Sequence, residues 1–245
     1  MPGSGHLNTE EARSIMKLRE LVTEKIFLAI ACISIAAVAC ICIFLFANGI
    51  PAIGKIGFLN FLGGLEWKPS IDKYGIFPMI VGSLCVTGGA LVIGIPVGIL
   101  TAVFLAEYCP EPLYRIMKPA TELLAGIPSI VYGFFGLMVV VPFIRLYIGG
   151  TGMSILAAAF ILGIMILPTI LGVSEAALRA VNRSYYEGAL ALGATKESSI
   201  FRCVLPAAKS GVLASVVLGI GRAIGETMAV VMVAGNQARI PGAIT

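Results

Sequence analysis

Residues 26–47 read IFLAIACISIAAVACICIFLFA and contain no charged side chain. At 1.5 Å per residue, an α-helix of this length spans roughly 33 Å, which is enough to cross a hydrocarbon core of about 30 Å. The whole chain of 245 residues is similarly apolar: 58% of it is hydrophobic, 12% is charged and the mean hydropathy is +1.00. Soluble domains are about 45–50% apolar and about 25% charged. The sequence therefore predicts an all-α polytopic membrane helix bundle and excludes an ordinary soluble enzyme and a disordered chain.

Four further apolar runs predict four more membrane spans. Only the last contains charged side chains, Arg222 and Glu226. Prolines at positions 96, 128, 142 and 168 are expected to kink these helices or cut them short. The four expected spans cover residues 78–106, 123–144, about 152 to the residue before Glu175, and 211–234.

Small residues recur at every fourth position in two of these spans. Ala90, Gly94 and Gly98 do so in the second span, and Gly221 and Gly225 in the fifth. This spacing lets helix backbones approach closely, so both stripes are expected to pack against neighbouring helices.

The distribution of Lys and Arg predicts the direction of the spans, because cytoplasmic loops carry an excess of these residues. If the N-terminus is inside, the cytoplasmic set holds eleven residues: Arg13, Lys17, Arg19, Lys25, Arg115, Lys118, Arg179, Arg183, Lys196, Arg202 and Lys209. The outer set then holds five: Lys55, Lys68, Lys73, Arg145 and Arg239. We therefore expect a cytoplasmic N-terminus.

The residue inventory excludes several classes of site. His6 is the only histidine, which excludes zinc sites built from several histidines and His-based triads. Residues 49–55, GIPAIGK, lack the Ser or Thr that completes a phosphate-binding loop. The net charge of +4 is too small and too dispersed for a nucleic-acid binder. We expect no catalytic residue, metal site or cofactor in this chain, and any ATP and Mg²⁺ would be bound by a partner.

The longest inner loop, residues 174–210, carries signals for two short helices. Ser184 and Glu187 form a capping box, which predicts a helix over residues 185–192. Gly193 suits the left-handed position after this helix. The helix carries small side chains that could enter a cleft on a partner protein, although a solvated loop without a partner fits the pattern equally well.

The second predicted helix of this loop begins after Thr195, which can cap it. It is expected to run through Cys203 and to end at Pro206.

The residues EGALALG at 187–193, followed nine residues later by CVLP at 203–206, resemble the EAA loop of ABC importer permeases, E-A-A-x-x-x-G-x(9)-I-x-L-P. Gly188 and Cys203 depart from the pattern, and both are small or apolar. In that family the loop is a coupling helix that docks into the ATPase subunit. The resemblance implies six candidate ATPase-coupling residues: Glu187, Gly188, Ala189, Gly193, Leu205 and Pro206.

Two further stretches, AGIPSIVYGFFGL at 125–137 and GRAIGETMAV at 221–230, are similar to segments of phosphate-specific permeases. The residues MVVVPFIR at 138–145 look more like the subunit called C than its partner A. The resemblance implies a plasma (inner) membrane complex with a second permease subunit, two ATP-binding subunits and an extracytoplasmic phosphate-binding protein. Such permeases commonly have a sixth span, so we interpret the chain as C-terminally truncated.

On this basis the chain divides into five parts: a cytoplasmic N-terminal segment (1–25), a first transmembrane helix (26–47), an outer loop (48–77), a permease core (78–234) that includes the cytoplasmic coupling loop (174–210), and an outer segment (235–245).

Arg222 and Glu226 are the candidate translocation residues. An arginine near a helix centre costs about 2.5–3.5 kcal/mol on insertion scales, so it should face the bundle or water. One interpretation is a structural ion pair, because the two side chains lie four residues apart. The other is that Arg222 lines the path and binds a tetrahedral oxyanion through its planar fork, while Glu226 holds the guanidinium in place. Further candidate hydroxyl donors are Thr227, Ser129 and Tyr132.

The leading hypothesis is therefore the permease subunit of an ATP-driven phosphate importer that works by alternating access. A permease for another oxyanion, such as sulfate or molybdate, is the close alternative. A membrane scaffold that recruits a cytoplasmic partner through the Glu187 loop is a third. An intramembrane enzyme is disfavoured because Glu226 is the only acid expected deep in a span.

Overall fold

The computed structural model describes residues 9–235, and most of them are helical. The predicted outer segment 235–245 lies outside the described residues apart from Gly235, as do residues 1–8 of the predicted N-terminal segment. The chain forms two compact units, Met1–Phe61 and Leu62–Thr245.

The first unit is built from one long helix, α1 (Thr9–Ile56), which extends well beyond the predicted 26–47 at both ends. At 48 residues it is about 72 Å long, so it exceeds the thickness of a hydrocarbon core. Its polar N-terminal part continues the helix because it is rich in Glu, Lys, Arg and Leu, which are strong helix formers. The helix ends at Gly57, which adopts a left-handed φ of +88°. A short helix, α2 (Phe58–Gly63), follows.

The second unit begins with a small antiparallel hairpin in the predicted outer loop. Strands β1 (Trp67–Lys68) and β2 (Lys73–Tyr74) pair Trp67 with Tyr74, and a 3₁₀ turn (Pro69–Ile71) joins them. The two rings make an edge-to-face contact with centroids 5.8 Å apart.

Two long helices form the core of the second unit. Helix α3 (Phe77–Val103), extended by a π-helical turn (Phe104–Tyr108), packs along α7 (Ile155–Arg179). The predicted stripe in α3 is confirmed at this contact: Ala90 is fully buried, and side chains of Ile166 and Ile170 pack directly over Gly94 and Gly98. The stripe at Gly221 and Gly225 does not pack closely against another helix of the described residues, because a Cβ at either position would have no neighbour among them within 4 Å.

The expected third span is wrong at its start. Residues 111–126 form a separate helix, α4 (Glu111–Gly126), and Ile127 and Pro128 are extended. The break arises because a residue before proline is pushed out of the helical region. The span then consists of α5 (Ser129–Phe135), a π-helical turn (Gly136–Val140) and α6 (Val141–Tyr147).

The expected fifth span is not one continuous helix either. Helix α11 (Lys209–Gly225) ends before Glu226, whose backbone is extended, and α12 (Met228–Ala234) follows. Within residues 9–235, four helical stretches are long and apolar enough to cross a membrane, and a pair bent by 69°, Lys196–Ala207 with Lys209–Gly225, gives a fifth. This agrees with an all-α bundle of about five spans.

The coupling loop contains the two expected helices with different ends. Helix α8 (Arg183–Ala191) begins two residues earlier than predicted, because the Asn182 side chain, and not that of Ser184, caps it. The predicted left-handed Gly193 is confirmed, with φ of +85°. Thr195 caps α9 (Lys196–Ser199) as predicted.

Pro206 does not end the second helix. A π-helical turn (Ile200–Val204) leads into α10 (Leu205–Ala207), which places Pro206 in the first turn, where no backbone donor is needed.

Candidate translocation and coupling sites

Arg222 lies in the last turn of α11 and is half-buried. Its Nη1 donates a hydrogen bond of 3.0 Å to Oγ1 of Thr169 on α7. Within the described part of the chain this is the only hydrogen bond that its side chain makes. Among the described residues, the remaining guanidinium donors of Arg222 have no hydrogen-bond acceptor.

Glu226 does not form the expected ion pair with Arg222, so that prediction is wrong. No Arg222 nitrogen lies within 4 Å of a Glu226 oxygen, and Glu226 Oε1 instead accepts a 3.2 Å hydrogen bond from the backbone N–H of Ala229. The pairing rule for residues four apart requires a continuous helix. Because α11 ends at Gly225, Glu226 caps the next helix instead.

The three candidate hydroxyl donors lie beside this break or on a helix that packs near it. Thr227 is exposed and lies in the break itself. Ser129 begins α5, and the buried Tyr132 lies one turn later. Helix α5 contacts α12, since Gly133 approaches Ala229 and Met232 closely. The Tyr132 hydroxyl donates to the carbonyl oxygen of Leu124 at 2.9 Å, which fixes the end of α4 against α5.

The coupling residues divide into an outer face and an anchored face. Four of the six residues are exposed and two are half-buried. The exposed ones are Glu187, Gly188, Gly193 and Pro206, and the half-buried ones are Ala189 and Leu205. Leu192, beside Gly193, is 91% exposed, which is unusual for a large apolar side chain. Such a side chain at the tip of the loop is available to a partner protein.

The anchored face of this loop packs on a small apolar cluster at the end of the helix bundle. Buried Leu178, Ile200 and Val204 form this cluster with Val103, and Tyr186 of α8 packs against it. Lys196 lies over the ring of Tyr108, with Nζ 4.7 Å from the ring centroid. Displacement of α8 would therefore be transmitted to the ends of α3 and α7.

Helix α7 carries a buried acid, Glu175, that the sequence did not predict as a site residue. Glu175 is only 1% exposed, although it lies near the end of α7, four residues before the last residue of the helix. Its carboxylate accepts hydrogen bonds from the Tyr114 hydroxyl at 2.8 Å, Lys118 Nζ at 2.7 Å and Arg179 Nε at 2.9 Å. The spacing of four residues in the sequence predicts the Glu175–Arg179 pair. Tyr114 and Lys118 lie on a different helix, so no short sequence pattern predicts their contacts with Glu175.

The Glu175 carboxylate raises the pKa of both of its hydrogen-bond partners on α4, Lys118 and Tyr114. Its hydrogen bond with Lys118 raises the pKa of the ammonium group, against the opposing effect of burial. The hydrogen bond that Tyr114 donates likewise raises the pKa of its hydroxyl. Both groups therefore keep their protons at neutral pH, and Lys118 remains a cation beside the Glu175 carboxyl group.

Comparison with known proteins places these features in a family. Residues 94–244 match the family model described as "Binding-protein-dependent transport system inner membrane component". The Probable ABC transporter permease protein YqgH of Bacillus subtilis is 42% identical over 235 residues, which cover 94% of this chain and 76% of that protein.

Two further relatives carry the name Phosphate transport system permease protein PstC. The protein from Mesorhizobium japonicum is 38% identical, with 82% of this chain and 67% of the relative covered. The protein from Haemophilus influenzae is 35% identical, with 76% and 65% covered. By the extent of these matches, the chain belongs to the family of binding-protein-dependent transport system inner membrane components.

Proposed function

We propose that this multi-pass membrane chain is the permease subunit of an ATP-driven ABC importer that carries inorganic phosphate across the plasma membrane by alternating access. The observation that carries the proposal is the similarity to relatives named PstC, at 35–38% identity over most of the chain. The chain performs no chemistry itself in this proposal. A separate ATPase supplies the energy.

Arg222 is the phosphate-binding residue in this proposal. It is half-buried beside a break between two helices, and among the described residues its one side-chain hydrogen bond is that of Nη1 to Thr169. A guanidinium binds an oxyanion through two parallel N–H donors. Among the described residues no salt bridge neutralises Arg222, so its guanidinium can attract an anion, and the carboxylate of Glu226, four residues along the chain, disfavours permanent binding.

Three hydroxyl groups complete the proposed path. Thr227 and Ser129 can donate to a passing anion without breaking a side-chain hydrogen bond that the described structure contains. Tyr132 must first release the Leu124 carbonyl, so we assign its contribution to another state of the transport cycle.

The outer face of the coupling loop is the proposed ATPase-docking surface. It consists of four exposed residues and two half-buried ones: Glu187, Gly188, Gly193 and Pro206, and Ala189 and Leu205. The 91% exposed Leu192 supports this role because a large apolar side chain at the tip of the loop can be buried by a partner protein. The complete transporter would contain a second permease subunit, two ATP-binding subunits that hold ATP and Mg²⁺, and an extracytoplasmic phosphate-binding protein, with the N-terminus of this chain in the cytoplasm.

The test is uptake of labelled phosphate by cells that carry the whole complex, with sulfate and molybdate as competitors. Unlabelled phosphate should compete, and the other two anions should not. Preferential competition by sulfate or molybdate would overturn the substrate assignment in favour of that anion.

The site is tested by Arg222→Ala, with Arg145→Ala as the matched control because Arg145 is an exposed arginine at the end of α6. Loss of a charge-assisted two-point contact should lower uptake by at least about tenfold at normal levels of assembled complex, and the control should transport normally. Normal uptake by Arg222→Ala would remove the proposed site and favour the scaffold hypothesis.

A further inference from the structure

Helix α4 is attached to the bundle in an unusual way. Its residues belong to neither of the two buried apolar clusters that the described residues form, and Ile116 and Leu123 are 70% and 74% exposed. The side chains that join it to α7 are polar: Tyr114 and Lys118, one turn apart, both donate to Glu175. Hydrogen bonds to the buried Glu175 carboxylate therefore hold α4 against α7. In most helix pairs, apolar packing has this role.

Arg179 connects this cluster to the coupling loop. It is the last residue of α7, three residues before Asn182, which caps α8. Its Nε donates to Glu175, its Nη2 donates to the carbonyl oxygen of Leu105 at 2.9 Å, and its guanidinium carbon lies 4.5 Å from the centre of the Tyr114 ring. A displacement of α8 would therefore move Arg179 through the short connecting segment, and Arg179 would in turn move Glu175 and its partners.

The other end of α4 leads to the proposed phosphate path. Tyr132 of α5 holds the Leu124 carbonyl, and only Ile127 and Pro128 separate α4 from α5. Helix α5 packs on α12, which begins after the Glu226–Thr227 break. A shift of α4 against α7 would therefore change the position of Ser129 and Tyr132.

We propose that Glu175 is a positioning residue for transport: it couples the ATPase-docking loop to the path by clamping α4 onto α7. This inference rests on the proposed function. Glu175 does not contact phosphate. It keeps α4 in register with Arg179, so that movement of the docked loop is converted into movement of α5.

The test uses the complete reconstituted transporter with Glu175→Gln, which retains the shape of the side chain but removes its charge. Glu111→Gln is the matched control because Glu111 pairs with Arg115 on the exposed side of α4. Removing the charge leaves two cations without their anion, so phosphate uptake per assembled complex should fall at least about tenfold. ATP hydrolysis should stay within about twofold of the wild-type rate, because the docking surface is unchanged.

Hydrogen–deuterium exchange of peptides from residues 111–126 gives a readout that does not depend on the substrate. Exchange should accelerate at least about tenfold in Glu175→Gln and remain unchanged in Glu111→Gln. Tyr114→Phe and Lys118→Met each remove one hydrogen-bond partner of Glu175. If the Glu175→Gln transporter does not assemble, these two variants are measured instead, with the same expected changes in uptake, ATP hydrolysis and exchange.

Uptake within about twofold of wild type, or a proportional fall of uptake and ATP hydrolysis, would overturn the inference by showing no role or a purely structural one. Failure of the proposed function looks different. In that case the wild-type transporter moves no phosphate, while the exchange rates of 111–126 still report whether Glu175 clamps α4.

Discussion

Gly94 lies at the closest approach of α3 and α7. A Cβ at this position would lie 2.7 Å from Cδ1 of Ile166 and 3.2 Å from the carbonyl oxygen of Gly163. A Cβ at Gly88, in the same helix, would have no such neighbour within 4 Å among the described residues. The two glycines therefore make a matched pair for measuring how much close backbone packing stabilises the bundle.

Gly94→Ala should lower the free energy of unfolding by about 1–3 kcal/mol, because Ile166 or the α7 backbone must shift. Gly88→Ala should be neutral or stabilising by up to about 1 kcal/mol, since alanine has the higher helix propensity. Denaturant titration in detergent micelles measures both. Equal effects of the two substitutions would show that the α3–α7 contact does not depend on Gly94.

The residues of the candidate site show what a local pattern can and cannot predict. Arg222 could be found from sequence because a single charge inside an apolar run must have a polar environment. Its hydrogen bond to Thr169 could not, because the two residues lie 53 positions apart. The Glu226 pairing was wrong because the rule for residues four apart assumed an unbroken helix.

Two residues could cap the start of α8, Asn182 and Ser184, and the structure shows that Asn182 does so. The backbone N–H of Ser184 donates to Oδ1 of Asn182 at 3.0 Å, although the sequence favoured Ser184 itself as the cap. Helix ends depend on backbone direction before the first turn, which a sequence motif does not specify.

Asn182→Ala should therefore destabilise the first turn of α8 by about 1 kcal/mol, which corresponds to about fivefold faster amide exchange there. Ser184→Ala should leave these amides unchanged. Hydrogen–deuterium exchange of residues 183–191 distinguishes the two, and faster exchange in Ser184→Ala alone would support the capping box instead.

The β1–β2 hairpin responds to acid through Glu66. Its carboxylate pairs with Lys73 at 2.9 Å and Lys68 at 3.5 Å, and these contacts lower its pKa from the ordinary value of 4.5. A pKa that is lower in the folded hairpin means that the pairs contribute above the ordinary value and are lost as pH falls through the lowered one.

The fluorescence of Trp67, the only tryptophan of the chain, should report this loss as the pH falls below 4.5. The signal is taken as the difference between wild type and Trp67→Phe. Glu66→Gln should remove the transition, and Asp72→Asn should retain it because Asp72 makes only a 3.4 Å contact with the Tyr74 hydroxyl. A transition that persists in Glu66→Gln would assign it to another group.

The whole molecule combines features that sequence predicts well with one that it does not. Membrane class, the number of spans and the coupling loop follow from contiguous runs and short motifs. The Glu175 cluster depends on α4 folding back onto α7, which brings together residues 57 and 61 positions apart. Lys118 and Arg179 therefore looked like ordinary cytoplasmic loop charges, although both hold a buried carboxylate.

The predicted orientation places the coupling loop in the cytoplasm and the hairpin outside. In a chain without its six native cysteines, Ser70→Cys should react with a membrane-impermeant maleimide in intact cells. Leu192→Cys should react only after the cells are permeabilised, since its side chain is exposed but on the inner side. The opposite labelling pattern would reverse the assignment and remove the ATPase-docking role of the loop.

The most direct measurement is transport by the purified complete complex in proteoliposomes, with the phosphate-binding protein supplied on the outer side. Labelled phosphate should accumulate on the inner side only when ATP is present with the ATP-binding subunits, and accumulation should be lost with Arg222→Ala. Accumulation that is independent of ATP, or that is unchanged by this substitution, would contradict the account.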